Sequence, residues 1–234
     1  VRDIAIISRV NKPVCFKIID FMDDEQGVRT AILSRRVVQE ECMENYIKNL
    51  QPGDIVEARV THNESFGSFC DIGCGISALL PIDSISVSRI PHPNARFSVN
   101  TMIKAVVKSI DEMGRVTLSH KELLGTWNEN AENFKAGQTV GGIVRSIEKY
   151  GVFIELSPNL AGLAEYSDTV EEGDSASVYI KSINPEKMKI KLSIVDSFPE
   201  QDNTMPMKYF FDGDHMDFWQ YSPQVCDKMI ESVF

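Results

Sequence analysis

Phe66-Gly67-Ser68-Phe69-Cys70-Asp71-Ile72 returns 84 positions later as Tyr150-Gly151-Val152-Phe153-Ile154-Glu155-Leu156, with the aromatic, glycine, aromatic and acidic positions in the same order. A second pattern is written three times, as Phe16-Lys17-Ile18-Ile19-Asp20, Val107-Lys108-Ser109-Ile110-Asp111 and Ile180-Lys181-Ser182-Ile183-Asn184. Each copy leads into a strand that ends in Leu-Ser, at Leu33-Ser34, Leu118-Ser119 and Leu192-Ser193. A repeat this long means small domains strung in tandem, each burying its own core, rather than one enzyme fold around a single cleft.

Working outward from the first copy, strand signals fall at Ile55–Thr61, Ser68–Ile72, Ala78–Ile82, Met102–Ile110 and Arg115–Leu118, with glycines at 67, 73, 75 and 114 between them. Five short strands in about seventy residues predict a small closed barrel of the OB type. The second copy supplies the same set at Thr139–Ile147, Val152–Leu156, Gly162–Ala164, Ala176–Ile183 and Lys189–Leu192. The first copy differs in a long insert, Ser86–Asn100, before its fourth strand. Two segments of helical character, Arg35–Leu50 and His120–Lys135, run into glycine-containing turns at equivalent places and predict linker helices that orient one barrel on the next. Only thirteen residues precede the fourth strand of the opening copy, so the chain either begins inside a domain or borrows the missing strands.

The tail leaves the repeat. It predicts an aromatic hairpin within Lys208–Tyr221, then a short helix opened by Ser222 or Pro223 and running to Phe234, together closing the end of the array. The expected fold is therefore all-β with linker helices and tandem five-stranded OB barrels. Its parts are a half-barrel at 1–36, a linker helix at 37–50, a complete barrel at 51–121, a linker helix at 122–135, a further barrel at 136–196 and an acidic hairpin-helix extension at 197–234.

The formal net charge of −10 on 234 residues argues, taken alone, against a nucleic-acid partner. Divided by segment it does not: the tail from residue 197 carries 2 basic and 7 acidic side chains, half of the excess, and each barrel is nearly neutral. No apolar run approaches the ~20 residues of a membrane span and no signal peptide opens the chain, so a cytoplasmic protein is expected. The five cysteines are odd in number and show neither a disulfide framework nor a zinc spacing, which reads as core or incidental thiols in a reducing compartment. None of the four histidines stands in a metal-ligand spacing, and no phosphate loop or nucleophile elbow appears. No cofactor, metal or small-molecule substrate is expected, and no catalysis.

Strand parity says where the repeated aromatics point. Phe69 shares a face with Asp71, and Phe153 with Glu155, whereas Cys70, Ile72, Ile154 and Leu156 share the other; a carboxylate two residues away marks the solvent face. Arg115 and Lys189 flank the fifth strands, and Lys108 and Lys181 stand near the ends of the fourth. The insert adds Arg89, His92 and Arg96. Exposed aromatics flanked by cations suit single-stranded nucleic acid, with bases on the rings and phosphates on the cations. The pattern leaves open that the rings are covered by a linker helix or a neighbouring barrel.

The run Gly53-Asp54-Ile55-Val56, then Ser65 to Gly73, then Ile110-Asp111 and Gly114 to Lys121 resembles the S-one RNA-binding domain, an OB-fold module named for a protein of the bacterial small ribosomal subunit. Gly137, Tyr150-Gly151-Val152-Phe153, Gly162-Leu163 and Lys191-Leu192-Ser193 carry the likeness into the second copy, and the whole chain is similar to the S-one-like proteins of clostridial bacteria. The resemblance implies an RNA site made of two aromatics, a third-strand histidine, and an Asp and Arg around the last turn. Those positions hold Phe66, Phe69, Asp111 and Arg115 in the first copy, with Pro81 in place of the histidine. In the second they hold Tyr150, Phe153, Asn184 and Lys189, with Glu165 in place of the histidine, so weaker binding is expected there. The resemblance thus implies a non-enzymatic binder of single-stranded mRNA, with the small ribosomal subunit as candidate partner. The alternatives are a protein-interaction scaffold docking on a ribosome or ribonuclease, and the accessory array of a larger enzyme.

Overall fold

The computed structural model describes residues 14–23, 25–199 and 205–234. The part of the expected half-barrel at residues 1–13 lies outside the described residues. Its remainder is a two-stranded antiparallel sheet of β1 (Lys17–Asp23) and β2 (Arg29–Ser34), paired from Lys17↔Ser34 to Asp23↔Arg29. Ile18, Ile19, Phe21, Met22 and Leu33 all stand about half exposed on it. Ser34 ends β2 and caps α1 (Arg35–Asn45), its hydroxyl accepting from the Val37 N–H at 3.2 Å. The first linker helix is thus shorter than expected and closes with a 3-10 turn at Ile47–Asn49.

The first barrel comprises β3 (Ile55–Glu64), β4 (Gly67–Asp71), β5 (Ser77–Pro81), β6 (Met102–Ile110) and β7 (Val116–Ser119), closed in the order β3-β4-β5-β7-β6. Every contact round the wall is antiparallel except the closing one, where Leu79 of β5 lies parallel to Thr117 of β7. Alternation fills it: Val56, Ala58, Val60, Cys70, Ala78, Leu80, Ile103, Ala105, Val107, Val116 and Leu118 are all buried. The second barrel repeats this with β8 (Thr139–Glu148), β9 (Gly151–Ser157), β10 (Leu160–Ala164), β11 (Ser175–Asn184) and β12 (Lys189–Phe198), in the order β10-β12-β11-β8-β9. Each expected barrel strand is present.

Two expected helices are corrected. The linker after the first barrel is not one helix over 122–135 but a 3-10 turn at Lys121–Leu124, a break at Gly125, and the short α2 (Trp127–Ala131). Gly125 takes φ +83°, and a Cβ there would stand 2.7 Å from the Phe210 ring, so the helix cannot run through it. Helix α2 restarts on its own capping box, Thr126 with Glu129. In the tail, the helix expected over Ser222–Phe234 is absent: β13 (Phe218–Gln220) pairs with β14 (Glu231–Val233) instead. Ser222 does not cap a helix, because its hydroxyl accepts from the Ile230 N–H at 2.8 Å and closes the turn between these strands. Lys208–Tyr221 is likewise no hairpin; His215 bridges to Asp54 beside β3, and the segment runs over the first barrel and the linker.

The barrels are tightly joined. The Ser157-Pro158-Asn159 turn between β9 and β10 enters a socket made by the 86–88 loop and the linker. There the Asn159 amide accepts from Val87 N–H at 2.9 Å and donates to the carbonyls of Lys121 at 2.7 Å and Gly125 at 2.8 Å. The Tyr221 hydroxyl donates to the Asn159 carbonyl, so the tail closes the socket from outside. Leu123, Trp127, Trp219 and Tyr221 pack into one cluster with the core of the second barrel.

Candidate nucleic-acid interface

Both copies place their aromatic pair in the same way. Phe66 and Phe69 meet edge to face with centroids 6.0 Å apart at 87°, and Tyr150 and Phe153 do so at 6.1 Å and 88°. The glycine between the rings makes this possible. A Cβ on Gly67 would fall 2.4 Å from the Leu80 carbonyl oxygen, and one on Gly151 would fall 2.4 Å from that of Ala164, so β4 and β5, and β9 and β10, approach only because the position is bare. Phe66 and Tyr150, at the head of the strand, are 54% and 69% exposed; Phe69 and Phe153 are half-buried.

Around Phe69 the sheet register sets the neighbours. A bulge after Val60 brings His62 directly opposite it on β3, and Leu79 stands opposite on β5. His62 is exposed and its Nε2 lies 2.7 Å from Glu64. In the second barrel the same bulge sets Ser146 opposite Phe153, with Leu163 on the other side and Lys191 of β12 beside Leu163. His62 therefore flanks the first pair although the sequence reading passed over it, because the bulge shifts parity by one and no period-two pattern shows it, while Lys191, turned outward by the alternation of β12, flanks the second.

The last turn of the first barrel is organised by Asp111. Its carboxylate accepts from the backbone N–H groups of Met113 and Arg115 and pairs with the Arg115 Nε at 2.6 Å. These bonds from Arg115 and Met113 hold the acid below the usual carboxylate range. Asp111 thus aims the Arg115 guanidinium rather than offering itself to a phosphate. Lys108 is exposed and donates to the Ser84 hydroxyl at 3.3 Å. At the matching places in the second barrel, Asn184 accepts from Lys187 N–H at 2.9 Å and Lys189 is exposed, but Lys181 is paired with Glu165 at 2.8 Å. That bond holds the Glu165 carboxyl below its usual range and consumes the cation.

The insert departs most from the sequence reading. Arg89 is exposed, and His92 caps a 3-10 turn by accepting from Asn94 N–H at its Nδ1, 3.1 Å away. Arg96 is not on the surface at all. It is 3% exposed, bonded to the Ser86 hydroxyl at 3.2 Å and ion-paired with Glu155, which also holds Arg145. Glu155 is itself fully buried, so it does not mark a solvent face; it marks the place where the first barrel's insert covers the second barrel's outer wall. Only its counterpart Asp71 is partly exposed, with one oxygen accepting from the N–H groups of Gly73 and Gly75.

A family model for the S1 RNA binding domain matches residues 49–121, the first barrel with its entry and exit turns. Small ribosomal subunit protein bS1 of Staphylococcus aureus (strain COL) is 29% identical over 188 residues, covering 73% of this chain and 48% of that protein. The bS1 homolog of Bacillus subtilis (strain 168) is 28% identical over 217 residues, covering 85% and 56%. The chain spans about half the length of these curated relatives. Among solved structures, a multidomain protein with nucleic acid binding domains from Streptococcus pneumoniae is 14% identical, covering 75% of this chain and 59% of that one with a TM-score of 0.31.

Proposed function

We propose that this chain is a non-catalytic binder of single-stranded RNA that holds mRNA on the outer faces of its barrels, in the cytoplasm and in company with the small ribosomal subunit. One observation carries the reading: two solvent-facing edge-to-face aromatic pairs of nearly identical geometry, the first inside a segment that matches an RNA-binding domain. A ring with a free face stacks on any base and contributes about 1–3 kcal/mol per base with little sequence preference. Phosphates on either side would meet Arg115 and Lys108 on the first barrel, and Lys189 and Lys191 on the second. The names of the bS1 relatives support the ribosomal setting.

The first barrel is the stronger site. It keeps Arg115 aimed by Asp111 and Lys108 on the neutral Ser84 hydroxyl, whereas in the second barrel Glu165 ties up Lys181 and would repel phosphate. Arg89 extends the first site along the insert; His92 serves its own turn, and Arg96 has no part in binding. The Glu165–Lys181 pair also favours a second reading, in which the second barrel docks on protein rather than RNA.

Titration of a fluorescently labelled single-stranded RNA at two salt concentrations tests both. The joint substitution Phe66→Ala/Phe69→Ala should weaken binding by about tenfold or more, from stacking lost at two rings, and Tyr150→Ala/Phe153→Ala by less. Affinity should fall with salt at a slope of about −0.7 per phosphate neutralised. Binding that ignores the Phe66/Phe69 change would sink the stacking surface, and RNA bound only by the first barrel would leave the second to a protein partner.

A further inference from the structure

Three cysteines that the sequence scatters over Cys15, Cys42 and Cys74 converge at the end of β4 opposite to Phe66. Cys15 stands just before β1, Cys42 is on α1, and Cys74 is in the turn between β4 and β5. All five cysteines are free thiols, and Cys15 and Cys42 both stand close enough to Cys74 for its thiol to act on theirs. The turn is seated on the helix: the Cys42 Sγ lies 4.0 Å from the Gly73 carbonyl oxygen, and the Gln39 amide donates to the Gly75 carbonyl at 3.4 Å. Cys74 itself takes φ +53°, a left-handed conformation disfavoured for a side chain of its kind, although glycines stand on both sides of it. The three sulfurs do not form a metal set: among the described residues no group of three or more His, Cys, Asp or Glu side chains is arranged to hold an ion.

We propose that Cys74 is an oxidation site, where a peroxide joins it to Cys42 in a disulfide that fastens α1 to the first barrel. The Cys74 sulfur attacks one peroxide oxygen, the O–O bond breaks, and a sulfenic acid forms with release of one water. The Cys42 sulfur then attacks the sulfenic sulfur, the S–O bond breaks, and the S–S bond forms with release of a second water. The two thiols lose two electrons and two protons, and hydrogen peroxide takes up both. A disulfide brings its sulfurs to about 2.05 Å, and the Cys42 Sγ already lies 4.0 Å from the carbonyl oxygen of Gly73, the residue next to Cys74.

Cys74 is the sulfur that both other thiols face, which makes it the common partner of either bridge. Burial first, then the Cys74 thiol, Asp71 and Cys15, push the Cys42 thiol up to about 11, and burial and Cys74 raise Cys15 as well. The attacking species is the thiolate, so the bridge should form faster as pH rises. Cys15, against the same sulfur, is placed to take over the bond by thiol–disulfide exchange with no further oxidant. Helix α1 connects the β1–β2 sheet to the first barrel, so the bridge fixes that sheet's mounting.

The test is to treat the full chain with hydrogen peroxide, remove the peroxide, unfold in urea and alkylate the remaining thiols, and map peptides by mass spectrometry without reduction. A Cys42–Cys74 peptide pair, two hydrogens lighter, is expected, with buried Cys70 and the tail's Cys226 alkylated as internal controls. Cys42→Ser should move the bridge to Cys15–Cys74, Cys15→Ser should leave it unchanged, and Cys74→Gly, which suits the left-handed turn, should abolish it in a folded protein. Five alkylatable thiols after treatment, a Cys15–Cys42 bridge in the Cys74→Gly variant at the wild-type rate, or Cys74 driven to sulfinic acid with no bridge would each overturn the proposal.

Discussion

His120 shows how much one residue decides in this molecule. It is fully buried where the insert, the linker and the tail meet, with its Nδ1 donating to the Ile85 carbonyl at 2.9 Å and its Nε2 3.3 Å from the Tyr209 hydroxyl. Tyr209 in turn accepts from the Lys104 N–H at 3.1 Å, so it donates to a histidine that must be neutral. Burial, with the Arg96 charge nearby, pushes the ring down to about 4. A folded-state value below the unfolded one means protonation favours the unfolded chain, so stability present above pH 6.5 drains away as pH falls toward 4, by about 3 kcal/mol in all. His215 works in the opposite sense. Its bond to Asp54, with Asp217 on the other nitrogen, raises its value, so the tail contact it makes is intact below the unfolded value and is lost as pH rises through the folded one. Urea unfolding from pH 7.5 to 4.5 should show the acid loss in the wild type and little of it in a His120→Gln variant that folds. Gly67 is decisive for a different reason: Gly67→Ala must displace the Leu80 backbone, and a loss of about 1–3 kcal/mol in the same assay is expected, in line with other overpacked positions.

Among the elements, the turn between β9 and β10 is the one that sets how the barrels meet. Asn159 is fully buried and spends both ends of its amide on the first barrel's insert and the linker. Asn159→Ala would leave the half-buried Val87 N–H and Lys121 carbonyl and the buried Gly125 carbonyl without this partner, a loss of about 1–3 kcal/mol, read by urea unfolding and by faster hydrogen exchange at Val87. The strands themselves were legible in the sequence because alternation, β-branched runs and glycine punctuation are local signals, and all the barrel strands fall where those signals put them. The aromatic pair was legible because repetition exposed it. What was not legible is what one segment does to another. Gly125 breaks the linker because Phe210, far along the chain, fills the space beside it, and Ser222 spends its hydroxyl on Ile230 rather than on a helix start. Arg96 sits in a polar loop with every local mark of a solvated cation, and its burial is decided by Glu155 on the other barrel.

At the scale of the whole molecule, that same ion pair bears on whether the two barrels unfold as one body or two. Among the described residues Glu155 is the counter-charge given to Arg96, which is 3% exposed, and it also holds Arg145, which is 8% exposed, so one carboxylate is shared by two buried guanidinium groups from different barrels. Exchanging the whole triad for apolar side chains would cost little, but removing one member strands the others, typically at about 3–5 kcal/mol. Leu123, Trp127, Trp219 and Tyr221 extend the second barrel's core into the linker and tail, so the parts share burial as well as charge. Interfaces of this kind make neighbouring barrels melt together, and a weak one lets each melt alone. Calorimetry of the wild type should therefore give one transition whose calorimetric and van't Hoff enthalpies agree. Glu155→Ala should give two, the second barrel melting first because Arg145 lies in its own wall. A single two-state transition in that variant would mean the shared core, not the buried charge, couples the barrels, and Trp219→Ala would then be the change that separates them. Coupling also bears on the proposed RNA binding: on that proposal one strand meets both ring pairs, and barrels held at a fixed angle would offer them at fixed spacing, so the second contact would cost little further ordering. Glu155→Ala should accordingly weaken binding of an RNA long enough to reach both pairs while leaving a short oligonucleotide on the Phe66/Phe69 face unaffected, a difference that titration of the two lengths side by side would read directly.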